Sequence, residues 1–158
     1  MEKLNLPSYP FRYKNVGQRK YIFDSFRKKY VVLTPEEEVR QHFAMFLVNH
    51  CSYPAARIGL EVRIRTTQLE RRSDIVVYND SFKPGLIVEC KAPSIEIQES
   101  IFDQAVRYHL ELHAPYIAVT NGLRHFCCRI DNETGKWHFV DHFPAYGELQ
   151  ANQPGREI

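Results

Sequence analysis

Between residues 74 and 91 the chain reads "DIVVYNDSFKPGLIVECK", two apolar runs separated by a link rich in Asn, Asp, Ser and Pro. Short β-branched and aliphatic runs bounded by turn formers are strands, and a link this short and polar closes them into a hairpin. The second strand reads as buried, yet it ends in Glu89 and Lys91 with one residue between them. Two charges at the end of a buried strand need an explanation, and the surrounding sequence narrows it.

Upstream, "TPEEEVRQHFAMFLVNH" places Thr34 at an N-cap, Pro35 at the first helical position and Glu37 where a capping box takes its glutamate. Val39, Phe43, Phe46 and Leu47 recur at helical spacing and predict a helix over about 35–50 with that face buried. "LEVRIR" alternates and predicts a half-buried strand before the hairpin. Downstream, "IQESIFDQAVRYHLELH" reads as a second long helix, with Ile101, Ala105, Tyr108 and Leu112 at near-helical spacing. "PYIAVTNG" reads as a buried strand, and "HFCCRID" and "WHFVDHF" as a hairpin-like pair. Helix, three strands, helix and further strands make an α/β fold, a mixed sheet flanked by helices. The expected organisation is an N-terminal extension over 1–33 that packs on the core, with a short strand at "KYVVL", then a domain over 34–146 and a polar, poorly ordered tail over 147–158.

Composition excludes several classes. Lys and Arg total 21 against 19 Asp and Glu, a formal charge of +2, so bulk charge alone marks neither a nucleic-acid binder nor a membrane-surface protein. No run reaches the roughly 18 apolar residues of a membrane span, and "MEKLNLPSYP" lacks a signal-peptide core, so a soluble, cytoplasmic protein is expected. The four cysteines form no CxxC pair, and Cys127 and Cys128, adjacent in a strand, face opposite ways and read as packing residues. No GxxxxGK[ST] loop is present to cradle ATP. His109 and His113 read as surface histidines and Trp137 as a packing residue.

With the hairpin turn centred near residues 81 and 82, Asp74 falls opposite Glu89, and strand alternation puts Glu89 and Lys91 on one face. Opposed carboxylates repel unless a cation lies between them. Magnesium, which takes few protein carboxylates and keeps several waters, fits better than zinc, and manganese is expected to substitute. A lysine beside such an ion can orient a water or stabilise charge developing on phosphorus. These residues suit phosphodiester hydrolysis. Glu36 is in phase with Val39, Phe43 and Leu47 and is the candidate third carboxylate, with Glu37 as the alternate. Gln104 and Tyr108 share a helix face and can reach the same groove, and of the arginines 57, 63, 65, 71 and 72 the best placed for a phosphate is Arg72.

Asp74, the hairpin, Glu89-Cys90-Lys91, a preceding helical glutamate and a following Gln104–Tyr108 element resemble the PD-(D/E)XK nuclease superfamily. More narrowly, "LTPEEEVRQHF", "RRSDIVVY", "LIVECKAP", "FDQAVRYH" and "PYIAVTNGLRHFCC" are similar to the N-terminal nuclease domain of type I restriction-enzyme motor subunits, over roughly residues 30–130. The resemblance implies a restriction-endonuclease-like αβββαβ core and Mg-dependent DNA cleavage. It makes Asp74 and Glu89 metal ligands, Lys91 the catalytic lysine and the helical glutamate a further metal-site residue, with Gln104 and Tyr108 assisting or touching DNA. It also implies a restriction-modification or helicase partner. Ser73 stands where the superfamily's name has proline. The alternative is a DNA- or protein-binding module of the same fold without turnover.

Overall fold

The computed structural model of the protein describes residues 3–150. Three short strands, β1 (Tyr13–Val16), β2 (Arg19–Asp24) and β3 (Lys29–Val32), form an antiparallel sheet in the order β1-β2-β3. Helix α1 (Pro35–Asn49) follows, then β4 (Ile58–Arg65), β5 (Glu70–Tyr78) and β6 (Pro84–Cys90), helix α2 (Glu99–His109), and β7 (Tyr116–Thr120), β8 (His125–Ile130) and β9 (Trp137–Val140). The last six strands form one mixed sheet in sequence order. Only β6 and β7 run parallel, because α2 carries the chain back across the sheet between them, whereas turns join the antiparallel pairs. The α1-β4-β5-β6-α2-β7 order is the expected αβββαβ core, a restriction-endonuclease-like fold.

Both faces of the sheet centre are covered, which explains why β6 reads as continuously apolar. Leu86 and Val88 join Val39, Phe43 and Leu47 of α1 in one core. Ile87, between them, joins Phe102, Ala105 and Val106 of α2 in the other. The same alternation sends Cys127 into the first core and Cys128 into the second, and Trp137 stacks on Phe102, so these residues pack as expected.

The structure departs from the sequence reading in four places. The N-terminal segment holds a whole sheet rather than one strand, because β1 is exposed along its length and shows no hydrophobic period. The second helix ends at His109 and tightens into a 3-10 turn over Leu110–Leu112. Its buried residues are Phe102, Ala105, Val106 and His109, while Tyr108 is 41 % exposed. At the C-terminus, Tyr146–Leu149 forms a 3-10 turn whose Leu149 is fully buried over Gly85. A Cβ at residue 85 would lie 2.7 Å from that of Leu149, so glycine is required there for close approach. Residues 151–158 of the expected tail lie outside the described residues.

His109 is the fourth departure, for it is buried, with Nδ1 3.4 Å from the Ser73 hydroxyl. Burial first, and then the Arg71 charge, push its imidazole down to about 4. The folded state therefore holds it neutral, while the unfolded chain takes up a proton near the ordinary histidine value of about 6.5. Its contribution is present above that value and is lost as pH falls toward 4, up to on the order of 2–3 kcal/mol. Between pH 7.5 and 5 the melting temperature of the natural protein should fall further than that of His109→Gln. Parallel curves would show that His109 protonates without cost to the fold.

Candidate active site

The ladder between β5 and β6 pairs Ile75 with Val88. One step further in the same register stand Asp74 and Glu89, where the sequence reading placed them. Here a side chain takes over from the ladder: the Cys90 N–H donates to Asp74 Oδ2 at 2.8 Å. On the other side of β5, Leu60 pairs with Ile75 and Val62 with Ser73, so Glu61 is the residue that stands beside Asp74. Glu61 has φ +51°, a left-handed backbone that costs a non-glycine residue about 1–2 kcal/mol. Glu61, Asp74 and Glu89 thus form a row of three carboxylates across three strands.

The row opens on a cavity of about 510 Å³ whose lining also includes Glu36, Glu37, Arg40, Lys91, Arg72 and Tyr108. Lys91 lies just beyond β6, its N–H donating to the Thr120 carbonyl at 2.8 Å, and its Nζ is 3.3 Å from Glu89 Oε1. Of the residues singled out from sequence, Asp74, Glu89, Lys91, Glu36, Arg72 and Tyr108 therefore meet at one cavity. Gln104 is exposed on α2 and outside this lining. Arg72 donates to Glu61, its backbone N–H donates to the Tyr108 hydroxyl at 3.3 Å, and Arg71 lies over the Tyr108 ring. Exposed Tyr108 therefore forms the rim of the site.

The cation among the carboxylates is Arg40, which sequence reasoning missed. Its Nη2 donates to Asp74 Oδ1 at 2.8 Å and Glu36 Oε1 at 3.1 Å and lies 2.7 Å from Glu61 Oε1, while Nη1 donates to Glu37. Burial works against this charge, but the hydrogen bond to Asp74 and the charges of Asp74 and Glu61 outweigh it, and the guanidinium is held above its ordinary pKa. The helical phase that selects Glu36 also selects Arg40, four residues on and three before Phe43. That phase was the available signal.

Glu36 and Glu37 divide the roles left open between them. The Thr34 hydroxyl accepts from the Glu37 N–H at 3.0 Å, which is the first half of the expected capping box. The Glu37 carboxylate, nearly buried, turns instead to Arg27 and Arg40, so it serves as a structural counter-ion. Glu36 stays half exposed toward the cavity. Its carboxyl is held above the usual range first by burial and then by the charge of Asp74.

A metal would have to share this network. Among the described residues, no group of three or more His, Cys, Asp or Glu side chains is arranged to hold an ion. Asp74 Oδ1 accepts from Arg40 and Oδ2 from Cys90, which leaves one lone pair on each oxygen. With Glu89 beside it, the donor set is hard oxygen from two carboxylates, which suits an ion that takes few protein ligands and retains its waters.

No helix among the described residues is long and apolar enough to cross a membrane. No curated protein matches the chain. Among solved structures, a chain described as a fragment of an HsdR subunit of a type I restriction enzyme from Vibrio vulnificus YJ016 is 24% identical, with a TM-score of 0.37. The match covers 59% of this chain and 18% of that one, so this chain spans less than a fifth of its length. The model of the family described as type I restriction enzyme R protein N terminus (HSDR_N) matches residues 35–144, well over half of the chain. This chain therefore belongs to the family of type I restriction enzyme R protein N termini.

Proposed function

We propose that the protein is a Mg-dependent DNA nuclease of the PD-(D/E)XK type. The observation that carries this reading is the meeting of Asp74, Glu89 and Lys91 at the open end of the β5–β6 pair, with Glu36 across the same cavity. Family membership supports a restriction-related nuclease with DNA as substrate and a restriction-modification partner. Asp74 and Glu89 would hold the ion, with Glu36 completing the acidic lining. Bound there, magnesium or manganese supplies positive charge that polarises a phosphodiester and makes a water more acidic.

The chain's own groups do the rest. Cys90 N–H and Arg40 fix Asp74 from both oxygens, so the carboxylate is oriented before any ligand arrives. Lys91 Nζ, steadied by Glu89 at 3.3 Å, is placed to hold the attacking water or to donate to a phosphate oxygen as charge develops. Tyr108 and Arg72 at the rim are placed to hold the flanking backbone, the tyrosine by its hydroxyl and the arginine by charge. Gln104, further out on α2, belongs to the approach rather than to the reaction.

A second reading is favoured by one observation: Arg40 already neutralises Asp74. In a binding module without turnover that network would be complete as it stands. Two measurements separate the readings. Cleavage of supercoiled plasmid and of single-stranded DNA should appear with Mg or Mn and vanish with EDTA. Either ion should also raise the melting temperature of the natural protein by mass action, and not that of Glu89→Gln. A folded protein that neither cleaves nor gains stability from either ion would be the binding module.

A further inference from the structure

We infer that the outer face of the N-terminal sheet is a binding surface for single-stranded nucleic acid that leads into the site. This sheet lies ahead of the family match, which begins at residue 35. Residues 11–30 carry seven Lys and Arg against the single acid Asp24, whereas the whole chain has an excess of two. Asp24 is buried and held by Arg27, so it does not offset that charge at the surface.

Paired residues of neighbouring strands share a face, so the register sorts the side chains. Lys14 pairs with Tyr21, Val16 with Arg19 and Phe23 with Tyr30. Arg12 extends the first strand, its carbonyl accepting from the Phe23 N–H at 2.8 Å. One face therefore carries Arg12, Lys14, Arg19, Tyr21, Phe23 and Tyr30, with Val16 and Val32 at its ends, and no acid. The opposite face carries Ile22, which is fully buried. The basic and aromatic side chains interleave: Arg12 lies 4.1 Å over Phe23, Lys14 lies 4.3 Å over Tyr30, and the rings of Phe23 and Tyr30 are 5.2 Å apart.

This composition matches one partner. Cations along the strands meet phosphates, and flat rings between them meet bases whose faces are free, as in a single strand and not in a duplex. The same face ends at Val32, which pairs with Tyr21 and lines the candidate active-site cavity. A strand bound on the sheet would therefore arrive beside Glu36 and Lys91. The inference rests on the nuclease reading for that destination alone, since binding needs no metal.

Fluorescence anisotropy with a labelled dT20 oligonucleotide, in EDTA at low salt, tests it. Arg12→Glu/Lys14→Glu should weaken binding at least tenfold and flatten its salt dependence, by about 0.7 in log–log slope for each lost phosphate contact. Tyr21→Ala should weaken it about 5- to 100-fold with the salt slope unchanged. Arg12→Lys/Lys14→Arg should bind as the natural protein does, and melting curves identify any variant that fails through misfolding. Unchanged binding in the folded charge-reversal variant, or a duplex of the same length bound as tightly as dT20, overturns the inference. Asp74→Asn should bind dT20 normally whether or not the natural protein cleaves. Binding without cleavage removes the nuclease reading and leaves this surface standing, while cleavage with no sheet-dependent binding does the reverse.

Discussion

Arg40→Met should be the most destabilising single substitution at the site, lowering stability by about 3–5 kcal/mol. Arg40 is 7 % exposed and touches four carboxylates, of which Glu37 is itself buried. Removing one partner of a buried ion pair leaves the other charged and desolvated, which costs far more than an exposed pair gains. Glu37 keeps Arg27, but Asp74 and Glu36 each lose the one salt-bridge partner they have among the described residues. Arg40→Lys should fall between the two, because one ammonium nitrogen cannot serve Glu37 in one direction and Asp74 with Glu61 in another as two guanidinium nitrogens do. Urea denaturation of the three proteins checks this. A loss under 1 kcal/mol for the methionine variant would mean that Arg40 is a solvated bystander to the row.

The largest effect on activity is expected at Asp74 and Lys91. Asp74→Asn keeps an oxygen to accept from Cys90 N–H yet removes the charge that would hold an ion, and Lys91→Ala removes the only ammonium among the described residues of the cavity lining. Each should lower metal-dependent DNA cleavage by about 10²–10³-fold or more, the scale of losing one group that stabilises developing charge. Lys91 is about one-third exposed, so its alanine variant should melt within a few degrees of the natural protein. Plasmid nicking assays beside melting curves separate the two effects. Cleavage that survives Lys91→Ala at the natural rate would remove the lysine from the chemistry.

The Arg40 network and the acidic row also show how far a sequence carries such an argument. The αβββαβ order, the N-cap at Thr34 and the opposition of Asp74 to Glu89 were legible in the chain. All three rest on short-range rules: a 3.6-residue period, a two-residue alternation, and a turn whose centre sets the register of the strands it joins. The partition of β6 between two cores follows from the same alternation once helices lie on both faces.

Other features were decided by contacts that no local period encodes. β1 and β2 went unrecognised because β1 is exposed along its length and β2 buries only Ile22 and Asp24, so neither shows an apolar alternation, and the pairing of β1 with β2 and of β2 with β3 stabilises them. Leu149 sits in a polar tail and is buried because Gly85, far away in sequence, leaves room for it. Glu61 reads as one exposed residue of an alternating strand until the β4–β5 register sets it beside Asp74.

The sequence by itself determined that Asp74, Glu89 and Lys91 gather at one end of the hairpin and that Glu36 lies on the inward phase of the helix before it, since covalent spacing and side-chain alternation leave little freedom within one hairpin or one helix. Only the tertiary structure decided what neutralises them. The α1 helix docks with Arg40 against β4 and β5 at once, and a charge balance assembled from separate elements depends on distances through space that residue numbers do not hold.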